Sequence, residues 1–257
     1  MSIKLTSWNV NGIRAINKKE VFHNWFNNND SDIINLQEIR AQIADIPKEV
    51  YDVDGFNSYF RDAVKKGYSG LATYSKIQPI NVVEKIGNPA IDDEGRFLRV
   101  DFEDFTLINT YFPNSGSKAS RLDYKLEFCN TLADYVCNLR DDGFNIIICG
   151  DVNIAHKEID IRYPDRNHET SGFLPEERQW LSDFLDLGFV DTFRIFNQEP
   201  DNYTWWSYRY NARAKGIGWR LDYFFVNKEF KNKVLSAEIE SEVMGSDHCP
   251  ITLELDL

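Results

Sequence analysis

Residues 144–153 read FNIIICGDVN, a run of apolar, mostly β-branched side chains that stops at a glycine and passes directly into an acid and a carboxamide. Three consecutive isoleucines carry no helical spacing and suit a strand buried on both faces. The same design recurs elsewhere. LTSWNVN (5–11) runs to Asn9 and Asn11, and IINLQE (33–38) runs to Glu38. A fourth segment, GSDHCPITLEL (245–255), sets Asp247 and His248 just before a last strand rather than after one.

Working outward from these segments, short β-branched and aromatic runs predict strands over 3–10, 32–36, 70–74, 97–102, 105–111, 144–149, 203–208, 220–226 and 251–257. Between them the apolar residues take helical spacing: Val21, Phe22, Trp25 and Phe26; then Leu122, Leu126, Cys129, Leu132, Val136 and Leu139; then Trp180, Leu181, Phe184 and Leu185. Ser120 and Pro175 serve as helix starts, Gly143 and Gly188 as stops. Two sheets packed face to face with helices outside would bury every one of these faces. This gives an α+β protein with a four-layer α/β/β/α sandwich. The chain has 257 residues, 42% of them hydrophobic, and no linker or repeat breaks it, so one domain over 1–257 is expected.

The N-terminal segment lacks the features of a signal peptide and no apolar run is long enough to span a bilayer, which predicts a soluble, cytoplasmic protein without a membrane partner. The four cysteines (129, 137, 149 and 249) show no metal-binding spacing and read as reduced core residues. Against 29 Lys and Arg stand 41 Asp and Glu, a formal charge of −12, the reverse of what a nucleic-acid binder usually carries. Local grouping must therefore decide. From Trp205 to Arg220 the chain holds Arg209, Arg213, Lys215 and Arg220 with no acid, interleaved with tryptophans and tyrosines; from Tyr111 to Lys125 it holds Lys118, Arg121 and Lys125 against Asp123 alone. Cations among aromatics suit a phosphate backbone and stacked rings.

If the polar strand ends meet, the pocket holds carboxylates, carboxamides and one imidazole. Such hard oxygen donors suit magnesium or manganese and not zinc. Any single Asp or Asn after a strand is more simply a turn residue, but Glu38 follows Leu36 and Gln37 with no glycine or proline beside it. A metal held by Glu38 would neutralise a phosphate while Asp151 positions or deprotonates water. Asp222 interrupts the apolar segment WRLDYFF, where a charge is costly unless paired, and His248 is the partner expected for it. Other classes fit parts of this pattern: a phosphatase or lipid phosphodiesterase, a glycoside hydrolase using Glu38 and Asp151, or a non-catalytic nucleic-acid module.

The chain as a whole resembles the exonuclease III family of apurinic/apyrimidinic endonucleases, within the DNase I-like superfamily. The segments that carry the resemblance are SWNVNGIRA (7–15), LQEIR (36–40), GYSGLA (67–72), YFPN (111–114), CGDVNIAHKEIDIR (149–162), GFLPEER (172–178), YTWWSY (203–208), GWRLDYFFV (218–226) and GSDHCPI (245–251). The resemblance implies Mg²⁺-dependent, monomeric cleavage of double-stranded DNA on the 5′ side of an abasic site, with 3′-to-5′ exonuclease and 3′-phosphatase action on 3′-blocked ends as side activities. It assigns Glu38 to the metal, with Asn9, Asn11 and Asp247 close by and Asp151, Asn153 and His248 within the same group. Asp151 would activate water, Asn153 would hydrogen-bond the phosphate, Tyr111 would face the scissile group, and His248 supported by Asp222 would stabilise charge. Trp205, Trp219 and Leu221 would line a pocket for the flipped sugar; Arg209 would enter the duplex; Arg14, Arg40, Tyr68, Asn114 and Asn167 would contact the backbone. Asn11, Ser117 and Thr170 stand where some members carry aspartate, arginine and asparagine. The redox and protein-binding roles of longer relatives are not expected, because nothing precedes the first strand.

Overall fold

In the computed structural model, residues 2–257 are described; Met1, the first residue of the expected single domain, lies outside them. The strands assemble into two six-stranded sheets. The first has the order β13-β14-β1-β2-β4-β3, built from Val234–Ile239, Ile251–Asp256, Ser2–Asn9, Ile33–Gln37, Leu71–Ser75 and Asn57–Arg61. The second has the order β5-β6-β7-β8-β12-β9, built from Asn81–Val83, Phe97–Asp101, Thr106–Tyr111, Ile146–Asp151, Asp222–Asn227 and Phe189–Asp191. Each sheet contains one parallel pair, β1 with β2 and β7 with β8, and is otherwise antiparallel. A two-stranded ribbon, β10 (Trp205–Trp206) with β11 (Gly218–Trp219), stands apart from both.

The isoleucine run shows how the layers stack. Ile147 and Cys149 of β8 face the core between the sheets, with Leu5, Leu107, Phe224 and Leu253. Ile146 and Ile148 face the other way, onto helices Leu122–Asp141 and Pro175–Asp186, where Phe128, Leu132, Val136, Leu181 and Phe184 meet them. On the far side of the first sheet, Trp8, Ile34, Leu36 and Tyr74 pack under Phe22 of helix Glu20–Asn28. Three apolar cores thus separate four layers, as expected. Gly143 and Gly188 follow their helices in the left-handed conformation, at φ 90° and 104°, and act as the stops; the first long helix begins two residues after Ser120.

Several expectations need correction. The 203–208 run forms a strand only at Trp205–Trp206, because Tyr208 and Tyr210 turn outward into solvent. Strands β3, β5, β9 and β13 were not expected. Each lies on a sheet edge, β5 and β9 are only three residues long, and β13 leaves most of its residues partly or fully exposed. Cys129, Cys149 and Cys249 are buried and reduced, but Cys137 is half-buried on a helix flank and not a core residue. Among the described residues, no helix is long and apolar enough to cross a membrane.

A seam of amides crosses the core between the sheets. Gln37 of β2 donates to Asn109 Oδ1 of β7 (2.8 Å), and Asn109 donates to Ala72 O and Thr73 Oγ1 of β4. Apolar side chains alone let two sheets slide; these directional bonds fix one register.

Candidate active site

Strand register brings the polar ends together. Across the second sheet Tyr111 pairs with Asp151 and Asp151 with Asp222, so three ionisable groups form one row. Across the first, Asn9 pairs with Gln37, which leaves Glu38 one residue beyond the ladder. His248 bridges to Trp205 and precedes β14, the partner of β1. Thirteen of the residues anticipated from the sequence, counting the departure Thr170, line one cavity of about 280 Å³: Asn11, Glu38, Arg40, Tyr111, Asn114, Asp151, Asn153, Thr170, Trp205, Trp219, Leu221, Asp247 and His248. Asn9 and Asp222 stand buried behind this wall. A wider groove of about 590 Å³, lined by Arg162, Trp206, Arg213 and Lys215 among others, takes two cations of the basic aromatic segment but none of the residues that the resemblance assigns to the site.

Backbone strain marks the same positions. Asn11, Glu38 and Asn153 have φ of 49°, 56° and 55°. Asparagine tolerates the left-handed region, whereas a glutamate gains nothing from it. Glu38 therefore holds its conformation against a local cost, in a place where its carboxylate meets Asn9 and Arg40. Gly150, at φ 138°, is fixed for another reason: a Cβ there would sit 1.8 Å from Thr110 O on the neighbouring strand.

His248 lies at the centre. Its Nδ1 is 2.8 Å from Asp222 Oδ2, and its Nε2 is 3.7 Å from Asp151 Oδ2. Burial disfavours the charged ring, but Asp222 and Asp151 outweigh it and push the imidazole up to about 10. The ring is thus a cation at neutral pH. Asp151 is 2% exposed; burial raises its carboxyl, and Asp222 adds to this against the pull of His248. Asp247 is held below the usual carboxylate range: burial opposes this, while His248, the Asn11 amide (2.8 Å) and the Trp205 indole (3.1 Å) favour the anion. Burial first, then Glu38 and Asp151, lift the Tyr111 phenol well above its ordinary value.

The carboxamides brace the acids. Asn9 Nδ2 lies 3.0 Å from Glu38 Oε2 and 2.9 Å from Asp151 Oδ2, while its Oδ1 accepts the Asn11 N–H. Asn153 donates to Phe112 O and Asp151 Oδ2, and its Oδ1 accepts from Asn114. Each carboxylate oxygen of Glu38, Asp151 and Asp247 accepts a hydrogen bond, and both oxygens of Glu38, Asp151 Oδ1 and Asp247 Oδ2 keep a second lone pair, which makes a hard donor set for a cation. Among the described residues, Asp151, Asp222 and His248 have ligand atoms within 4.8 Å of one another. With both ring nitrogens protonated His248 donates to Asp222; a cation taken up by this group would have to displace a ring proton.

Other expectations divide. Arg14 joins Asn11 and Arg40 in an adjoining groove of about 770 Å³. Arg40 reaches back to Glu38, and Asn114 meets Asn153 across the cavity wall. Tyr68 is engaged by Arg96 and Arg121, Asn167 bonds Tyr163 O and Thr170, and Arg209 is exposed on its turn. Ser117 sits outside the cavity, within a short 3₁₀ turn. The two basic segments are less basic outside than their sequence suggests. Lys125 and Arg220 are wholly enclosed in ion pairs, and Arg213 stacks on Trp206 at 4.4 Å while donating to backbone carbonyls.

Residue-by-residue reading missed Thr204 and Arg96. Thr204 Oγ1 donates to Asp222 Oδ2 (2.6 Å) and accepts the amide N–H of Leu221 and Asp222. Arg96 lies 4.7 Å over the Tyr111 ring and donates to its carbonyl. Thr204 lies inside the YTWWSY segment; Arg96 had no signal beyond being a charge at a strand start.

Comparison with known proteins agrees with this geometry. The chain is 41% identical over 256 residues to the exodeoxyribonuclease of Bacillus subtilis, covering 99% of this chain and all of that one. It is 39% identical over 257 residues to the DNA repair nuclease APEX1 of Danio rerio, covering 99% of this chain and 82% of the relative. The AP endonuclease LMAP of Leishmania major superposes with a TM-score of 0.90 at 29% identity, over 100% of this chain and 88% of that one. A 3′ phosphatase, NExo of Neisseria, solved with a product DNA hairpin, gives 0.88 at 27% identity, over 99% and 100%. The profile of the Endonuclease/Exonuclease/phosphatase family matches residues 6–248, and with strand ends, pocket and relatives in agreement the chain belongs to that family.

Proposed function

We propose that this protein is a DNA-repair endonuclease that hydrolyses the phosphodiester 5′ to an abasic site. The observation that carries the reading is the meeting of Glu38, Asp151 and a charged His248 in one cavity that also has an apolar portion, formed by Trp205, Trp219 and Leu221. The AP endonuclease and exodeoxyribonuclease relatives support it. An abasic nucleotide swings out of the duplex more cheaply than one that stacks a base, and a small apolar wall admits the bare sugar.

Glu38 and Asp247 would hold the divalent cation, Mg²⁺ with Mn²⁺ as a substitute, and their hard oxygens fit it. When bound, the ion would neutralise phosphate charge as a Lewis acid. Asp151 would orient a water and take its proton as the oxygen attacks phosphorus. The bond to the 3′ oxygen would break as that oxygen takes a proton from the Tyr111 phenol and leaves as a 3′-hydroxyl, and the phosphate would stay on the 5′ oxygen of the deoxyribose. Tyr111 would face the leaving oxygen, Asn153 would hydrogen-bond the phosphate, and His248, oriented by Asp222, would stabilise its charge. Trimming of 3′-blocked ends by the same centre fits the 3′ phosphatase relative. A monomeric, cytoplasmic enzyme with one catalytic domain is part of this reading.

The test is an end-labelled duplex bearing one tetrahydrofuran abasic analogue, with Mg²⁺ or EDTA. A nick just 5′ of the analogue that disappears with EDTA is expected. Intact duplex with wild-type protein and Mg²⁺ sinks the reading.

A further inference from the structure

Lys125, expected on a basic face, is enclosed instead. Its side chain is 0% exposed, and Nζ lies 2.7 Å from Glu177 Oε1, itself 0% exposed, and 2.7 Å from the carbonyl of Asn153. Ion pairs removed this far from water are poor sources of stability, because desolvation offsets their attraction. The pair's other bonds supply a reason for it. Glu177 Oε1 also accepts the Ser115 hydroxyl, and Oε2 accepts the amides of Gly172 (2.7 Å) and Leu174 (3.0 Å). Gly172 in turn accepts the Ala155 amide at 2.8 Å.

Three loops meet at this pair: one carries Asn114, one Asn153, one Thr170 to Gly172. All of these residues line the cavity. The fit is tight, since a Cβ on Gly172 would stand 3.1 Å from Asn153 O and 3.3 Å from the Trp219 ring. At the surface the same loops are tied only by neutral bonds, from Ser171 to Asn114 (3.1 Å) and from Asn114 to Asn153 (3.2 Å).

We infer that Lys125 and Glu177 are positioning residues, an enclosed pair that sets one wall of the cavity and places Asn153 and Trp219 against the bound phosphodiester. Lys125 acts through the Asn153 carbonyl, which the left-handed backbone turns toward it; Glu177 acts through Gly172 and Leu174. The inference rests on the proposed abasic-site activity.

The test compares Lys125→Met with the double variant Lys125→Met/Glu177→Gln, measuring thermal midpoint, kcat and KM on the abasic-analogue duplex. Lys125→Met strands a carboxylate and should lose both stability and kcat. The double variant removes both charges, so its midpoint should recover. Its kcat should stay about 100-fold down, the scale of an ångström-level misplacement, with KM within about threefold of wild type. A double variant that recovers kcat along with its midpoint overturns the inference. Should it not fold, Ser115→Ala loosens Glu177 without stranding a charge: a drop in kcat of about tenfold supports the inference and an unchanged kcat overturns it. If wild-type protein leaves the abasic duplex intact, the proposed function alone has failed, and the comparison is read on metal-dependent hydrolysis of bis(p-nitrophenyl) phosphate.

Discussion

His248 and Asp222 are joined at 2.8 Å through Nδ1 and Oδ2, and Thr204 holds the same carboxylate oxygen from the other side at 2.6 Å. The imidazole is thereby locked in orientation and kept charged, with Nε2 turned to the cavity where a phosphate oxygen would lie. Asp222→Asn keeps the shape and removes the charge. It should lower kcat by about 100-fold or more with little change in KM, as for other oriented electrostatic groups. Ring titration by NMR should show the His248 pKa falling from about 10 toward the ordinary histidine value; a ring still titrating near 10 would sink this account.

Asp151 is braced by Asn9 and enclosed, so replacing its carboxylate is not relieved by water. Asp151→Asn should cost about 10³-fold in kcat on the abasic duplex, within the range for a lost general base. Glu38→Ala should instead raise the Mg²⁺ concentration needed for half-maximal nicking. Equal metal dependence in Glu38→Ala and wild type would remove Glu38 from the metal assignment.

His156 provides a pH dependence separate from the active site. Its Nε2 meets Ser182 Oγ at 2.8 Å, and burial lowers its pKa from 6.5 to about 4. A depressed folded-state value means the unfolded chain binds the proton more readily. Stability from this group is therefore full above pH 6.5 and is lost as pH falls toward 4, by on the order of 3 kcal/mol. Urea titrations across that window should show the slope, and His156→Gln should flatten it.

Arg220 is 1% exposed and paired with both Asp160 and Asp191 at 2.7 Å. Arg220→Met leaves Asp191 buried without its cation and Asp160 with Arg194 alone, so unfolding free energy should fall by about 3–5 kcal/mol. Because Arg220 lies between Trp219 and Leu221, the surviving folded protein should also discriminate less between abasic and base-bearing duplex. A loss of stability with unchanged discrimination would confine Arg220 to the core.

The strand ends were legible because apolar runs that stop at, or start just after, a polar residue are read locally: Glu38 and Asp151 end such runs, Asp247 and His248 precede one, and all four line one cavity. What stayed hidden was anything set by a partner distant in sequence. Lys125 and Arg220 read as surface cations because charge usually signals solvent; only the fold shows the acids at positions 177, 160 and 191 that take them inside. Edge strand β13 was illegible for a different reason: VLSAEI buries too little to show a period of two. Thr204 lay in plain view, but no local rule distinguishes a hydroxyl that holds a buried carboxylate from one that ends a turn.

The amide seam from Gln37 to Asn109 holds two sheets that each carry part of the site, Glu38 on one and Asp151 on the other. A ligand that grips both acids would act as a clasp between halves of the molecule. Occupancy would then be felt mechanically, as resistance to prying the sheets apart, and a protein pulled across that seam would yield at higher force when its cavity is filled.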